Sequence, residues 1–212
     1  MSSEFESLEE LREHIGDCRR CTLWSTRTTL VFGVGKPDAE ILFVGEAPGR
    51  NEDLKGEPFV GAAGKLLDEL LASIGLTRSE VYIANILKCR PPGNRDPQRN
   101  ETDTCTPFLR EQVRLIDPRV IVTLGKHATQ FILKTDRGIT GLRGTLQHSG
   151  KYDVLPIFHP AAALYDATKR DVLFEDFARL GELTAPASEV AEAQVDAVAE
   201  EPRSVQGTLF ED

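Results

Sequence analysis

Four cysteines, Cys18, Cys21, Cys89 and Cys105, are the whole thiol complement of this 212-residue chain. Cys18 and Cys21 form a close C-x-x-C pair, whereas 15 residues separate Cys89 from Cys105. Four thiolates suit tetrahedral zinc or an iron–sulfur cluster. The spacing matches neither the paired C-x-x-C of a zinc ribbon nor the tight cysteine run of a ferredoxin. It leaves zinc, a cluster and four free buried thiols all open. A metal here would tie the N-terminal segment to a loop rich in cations, with Lys88, Arg90, Arg95 and Arg99. Held rigid, such a loop could bind phosphates; unheld, it is a solvated basic loop.

A second group of residues could do chemistry on a small ligand. Gly45-Glu46-Ala47-Pro48-Gly49 is followed by Gly56-Glu57-Pro58-Phe59-Val60-Gly61, and glycines at such places let a backbone approach a ligand closely. Phe59, between glycines, is either a stacking platform or a core plug. Asn85 offers a carboxamide that can read donors and acceptors, or cap a strand end. Of the four histidines, 14, 127, 148 and 159, only His159 precedes a proline at a predicted strand end. The other three are assigned to structure or surface.

These residues need a frame. Ser7-Leu8-Glu9-Glu10 is a capping-box signature, and Leu8, Leu11 and Ile15 repeat at helical spacing, so a short helix runs towards Cys18. The apolar runs 40–44, 81–87, 120–124 and 153–158 read as buried strands. Residues 64–74, 101–116, 126–134 and 170–180 read as helices. The alternation predicts an α/β fold, a three-layer α/β/α sandwich around a four-stranded parallel sheet. Ligands in such sheets sit beyond the carboxyl ends of the strands. Gly45-Glu46, Asn85 with Lys88, and His159-Pro160 all fall there.

Composition supports a globular chain, 40% hydrophobic and 28% charged, with no apolar run that reaches the ~20 residues of a membrane span. The charged N-terminus is unlike a secretory signal, so a cytoplasmic location is expected and disulfides are not. The net charge of −9 is uneven: from Glu182 onward there are eight acids and one base. Residues 1–181 form a nearly neutral domain that can still present a basic face. Residues 182–212 form an acidic tail without the apolar content for a core, and disorder is expected there.

Taken together, GEAPG (45–49), GEPFVGAAG (56–64), IANILKCRPPGNRDP (83–97), VTLGKHA (122–128) and HPAAAL (159–164) closely resemble the family 4 uracil-DNA glycosylases, the iron–sulfur type. The likeness runs from about Cys18 to Leu180. It implies a structural [4Fe–4S] cluster on Cys18, Cys21, Cys89 and Cys105, and a monomeric repair enzyme acting on uracil-containing DNA. Such an enzyme flips the nucleotide out of the duplex before hydrolysing its N-glycosidic bond.

The resemblance assigns roles. Asn85 reads uracil, Phe59 stacks on it, and Gly45 and Ala47 border it. His159 donates to uracil O2 as negative charge develops. Family 1 enzymes place an Asp where this chain has Ala47, and a methyl group cannot act as a base. Glu46 is then the first choice to orient water or stabilise the cationic sugar. Glu52 is the second, and an acid in this loop could exclude thymine sterically. Residues 161–170 are expected to wedge into the gap left by the flipped base, with Leu164 or Tyr165 as probe. Lys88, Arg90, Arg95, Lys169 and Arg170 are the expected phosphate contacts. A related branch binds uracil-DNA covalently through GEQPG and a His-bearing insert. This chain has Ala47 and no His in 90–104, so turnover is expected rather than a covalent trap. The alternative is a uracil-DNA-binding iron–sulfur protein without turnover. Finally, Gln206-Gly207-Thr208-Leu209-Phe210 resembles the Q-x-x-L-F peptide by which bacterial repair proteins dock on the DNA sliding clamp.

Overall fold

The protein is described here from a computed structural model covering residues 5–185. The expected clamp peptide, with Gln206, Leu209 and Phe210, lies outside the described residues. The chain opens with α1 (Leu8–Ile15), capped by the Ser7 hydroxyl, which accepts from the Glu10 N–H at 3.2 Å. Strands β1 (Val34–Gly35) and β2 (Ile41–Gly45) follow, then helices α2 (Arg50–Lys55) and α3 (Ala62–Ser73) and strand β3 (Tyr82–Asn85). Next come α4 (Arg99–Ile116), β4 (Val120–Leu124) and α5 (Lys126–Leu133). Strands β5 (Gln147–Ser149) and β6 (Tyr152–Ile157) and helices α6 (Ala162–Tyr165) and α7 (Thr168–Thr184) complete it.

The sheet order is β1-β3-β2-β4-β6-β5. The four inner strands are parallel, as the apolar runs predict. The expected count of four is corrected to six, because β1 pairs antiparallel with β3 and β5 with β6. A two-residue strand has no periodicity to read. The other edge strand, Gln-His-Ser, is polar and is turned back at Gly150, whose φ is 62°.

Alternation along the strands divides the core. Ile41 and Phe43 face α3 and α7, where Phe43 stacks on Phe177 with centroids 5.8 Å apart. Leu42 and Val44 face the other way, onto Leu109, Val113 and Ile116 of α4 and Ala128 of α5. A third cluster gathers Leu11, Ile15, Leu23, Phe32, Leu87 and Phe108 around Cys89 and Cys105. From β2 the chain crosses to β3 on one side, and from β3 it crosses back to β4 on the other. That reversal opens a crevice at the carboxyl end of β2.

Candidate active site

A cavity of about 320 Å³ occupies that crevice. Glu46, Ala47, Glu52, Phe59, Asn85 and His159 all line it, joined by Pro91, Asn94 and Arg95 from the loop after β3. Gly45, the last residue of β2, pairs in register with Asn85, the last of β3. A Cβ on Gly45 would lie 2.3 Å from Asn85 Oδ1 and 3.0 Å from the Phe59 ring. Only glycine lets these two side chains meet there.

Asn85 is 2% exposed, and its Oδ1 is the single buried side-chain oxygen or nitrogen among the described residues without a hydrogen-bond partner. An orphaned buried acceptor costs about 1–3 kcal/mol, so this one marks a place for a ligand N–H.

Phe59 takes a positive φ of 54°, a strained conformation for a bulky residue. Two clamps hold it. The Arg78 guanidinium donates to the carbonyls of Pro58, Phe59 and Gly64. Glu52 Oε1 accepts from the Val60 and Gly61 N–H groups at 3.0 and 3.2 Å. The Phe59 ring lies 5.4 Å from the His159 ring.

His159 Nδ1 accepts from the Ala161 N–H at 3.1 Å. The ring proton therefore sits on Nε2. Burial pushes the imidazole pKa down to about 4, with Glu52 opposing weakly, so the ring is neutral at physiological pH.

Glu46 follows β2 and its pKa is raised, chiefly by burial; His127 opposes that shift and Asp96 adds to it. His127 Nε2 stands 4.0 Å from Glu46 and 3.9 Å from Asp96. Sequence reasoning left His127 to structure or surface. The parallel pairing of β2 with β4 brings it here, three residues past the end of β4. The missed signal was its place in VTLGKHA, directly after a strand.

A profile of the uracil-DNA glycosylase superfamily matches residues 32–180. Proteins named type-4 uracil-DNA glycosylase align over most of the chain. The Archaeoglobus fulgidus protein is 52% identical, covering 84% of this chain and 94% of its own. The Sulfurisphaera tokodaii protein is 48% identical (84% and 85%), and the Thermotoga maritima protein 42% (83% and 94%). The chain belongs to the uracil-DNA glycosylase superfamily.

In this glycosylase the four cysteines form no disulfide and line one further space, next to Ile15, Leu30 and Phe108. Donors already point at their sulfurs. The Lys88 N–H and an Arg27 guanidinium N–H reach Cys105 and Cys89 Sγ, each at 3.3 Å, and Arg20 reaches Cys18 Sγ at 3.6 Å. A thiolate-ligated cluster with net negative charge fits such surroundings. Zinc fits less well. Zn–S bonds of about 2.3 Å place tetrahedral sulfurs about 3.8 Å apart. Among the described residues, Glu46, Asp96 and His127 are the one group of three or more possible ligands within 4.8 Å of one another. No three cysteine sulfurs are that close.

The expected DNA contacts divide. Leu164 and Tyr165 stand out from α6, 50% and 91% exposed. Lys169 pairs with Asp166 at 3.2 Å and Arg170 with Glu69 at 2.5 Å, both partly exposed. Arg90 donates to Asn94 at 2.7 Å, and Arg95 grips the buried Glu101 at 2.6 Å. Lys88 is a correction. It is 1% exposed, with its ammonium turned inward, and cannot reach a phosphate. Among the described residues, no helix is long and apolar enough to cross a membrane.

Proposed function

We propose that the cleft of this uracil-DNA glycosylase receives a uracil flipped out of DNA, and that Asn85, Phe59, His159 and Glu46 divide the work of removing it. The observation that carries this reading is the unpartnered Asn85 Oδ1, buried where a flipped base would lie. That oxygen accepts from uracil N3–H while the amide nitrogen donates to O4. Cytosine presents the opposite pattern and leaves polar groups unpaired, at about 1–3 kcal/mol apiece. Phe59 supplies the stacking wall, worth about 1–3 kcal/mol.

As the C1′–N1 bond breaks, its electron pair goes to N1 and the charge spreads to O2. The His159 Nε2–H is already aimed by the Ala161 contact, and it stabilises that anion without reorganising. Water adds to C1′ and releases a proton to solvent, from which the uracil anion takes one up; Glu46 orients this water and favours the cationic sugar. The products are free uracil and an abasic site. Glu52, committed to two backbone N–H groups, serves the reaction by fixing Phe59.

Cys18, Cys21, Cys89 and Cys105 hold a [4Fe–4S] cluster whose contribution is structural, joining the N-terminal segment to β3 and α4. Leu164 or Tyr165 fills the gap in the duplex, and Arg90, Arg95, Lys169 and Arg170 contact phosphates. The peptide with Gln206, Leu209 and Phe210 docks on the sliding clamp; loss of clamp co-elution in Phe210→Ala is the expected sign, and an intact chain that never binds clamp ends the idea.

The activity test is cleavage of a duplex oligonucleotide with one uracil, developed by alkali, beside Asn85→Ala, His159→Ser and a thymine control. Breakage by the wild type at uracil alone is expected, with both variants much slower. A protein that shifts the oligonucleotide without breaking it would instead be a binding protein.

A further inference from the structure

Lys88 is fully enclosed by protein and precedes Cys89 in the chain. Burying an ammonium is costly unless it is hydrogen-bonded. Here Nζ donates to the backbone carbonyl of Asn85 at 2.7 Å and to Gln112 Oε1 at 2.5 Å. Gln112, also fully buried, is itself anchored, its Nε2 donating to the Phe32 carbonyl at 2.9 Å. The Lys88 backbone N–H bonds Cys105 Sγ, and its carbonyl accepts from the Val31 N–H at 2.8 Å. An unbroken series of bonds therefore runs from α4 and the cysteine site to the main chain of Asn85.

We propose that Lys88 is a positioning residue for Asn85, its buried ammonium fixing the carbonyl behind the carboxamide that reads the base. The inference rests on Asn85 being that reader. It also gives the cysteine site a definite task. The site anchors the far end of the strut, so that Asn85 keeps its place while the loop after β3 engages DNA. A lysine kept merely to fill space would be replaced by an apolar side chain of similar length at little cost. A lysine that aims Asn85 would lose its effect once the carboxamide is gone.

The experiment is a double-mutant cycle on the full-length, iron-loaded protein: wild type, Lys88→Met, Asn85→Ala and the double variant. Each is assayed by single-turnover excision of uracil, with iron content and melting temperature recorded. Misplacing a reacting group by about 1 Å can cost about 100-fold. Lys88→Met is therefore expected to slow excision about 10- to 100-fold when Asn85 is present, and to change nothing when Asn85 is Ala. An equal loss in both backgrounds, or no loss in either, overturns the proposal. If Asn85→Ala itself excises uracil at the wild-type rate, the reading of Asn85 fails first, and Lys88 with it. Should Lys88→Met not fold, Gln112→Leu replaces it in the same cycle. It leaves Nζ one acceptor short, and a smaller loss that vanishes with Asn85→Ala is expected. An additive loss, or none, again overturns the proposal.

Discussion

Gly45→Ala tests the cleft with a single methyl group. The new Cβ would stand 2.3 Å from Asn85 Oδ1 and 3.0 Å from two carbons of the Phe59 ring, where ordinary contact begins near 3.4 Å. Something must give by about 1 Å on the oxygen side, since repulsion is steep at such distances. The β2 and β3 main chains cannot part, because Gly45 and Asn85 are paired in the parallel ladder and the Ile86 N–H bonds the Gly45 carbonyl at 2.9 Å. The Asn85 carboxamide must therefore rotate away from the cleft, or Phe59 must leave its strained place. Overpacking of this kind costs about 1–3 kcal/mol of stability. A reading group moved by about 1 Å costs about 100-fold in rate. The assay is single-turnover uracil excision well below the melting temperature, with thermal unfolding measured in parallel. Gly138→Ala is the control, for its φ of −72° suits alanine and nothing lies within 4 Å of the added carbon. A Gly45→Ala protein that excises uracil at the wild-type rate would refute the reasoning, whatever its melting temperature.

Two further outcomes follow from the same geometry. Excision should fall as Glu46 is protonated, at a pH above the ordinary carboxylate range, because burial disfavours its charged form. Asp96→Asn removes a repelling charge and should move this acid limb to lower pH, whereas His127→Ala removes an attracting one and should move it higher; shifts in the same direction would sink the role given to Glu46. Arg78→Met takes three carbonyls from their shared donor and releases the Phe59 backbone from its positive φ. It should lower stability by about 1–3 kcal/mol in urea unfolding and raise KM for uracil-DNA more than it lowers kcat, an effect absent if Phe59 is only a core plug.

The inner sheet was legible because β2, β3, β4 and the stretch of β6 from Val154 are largely apolar runs buried on both faces. The outer strands and α2 were not. The helix Arg-Asn-Glu-Asp-Leu-Lys carries one apolar residue and no periodicity, and its fold depends on Asp53, which turns inward to accept from the Thr28 and Thr29 N–H groups. The residues at strand ends could be found from the rule that ligands bind at carboxyl ends. Their partners could not. Lys88-Cys89-Arg90 reads as an exposed basic string, yet burial continues from Val81 through Cys89, four residues past the end of β3. His127 had a readable place after a strand in VTLGKHA, but its nearness to Glu46 depends on strand order rather than on spacing.

A common pattern runs through the cleft. Each group proposed to face the base has its other side tied down: His159 through Nδ1, Asn85 through its carbonyl, Phe59 through the two clamps on its loop. What remains free is the atom proposed to meet the base. Electrostatic stabilisation is most effective when donors are already oriented before charge appears, and a neutral His159 with its proton on Nε2 meets that condition. An imidazolium would attract the uracil anion more strongly, but charging this buried ring would first carry the desolvation cost that holds its pKa near 4. Glu46 departs from the pattern: His127 stands 4.0 Å from it and Asp96 within 4.8 Å. A looser carboxylate suits the sugar side, where an incoming water and a developing cation both need to be followed as they move. On the proposed assignment, the rigid groups decide which base is removed, and the freer one serves the step that removes it.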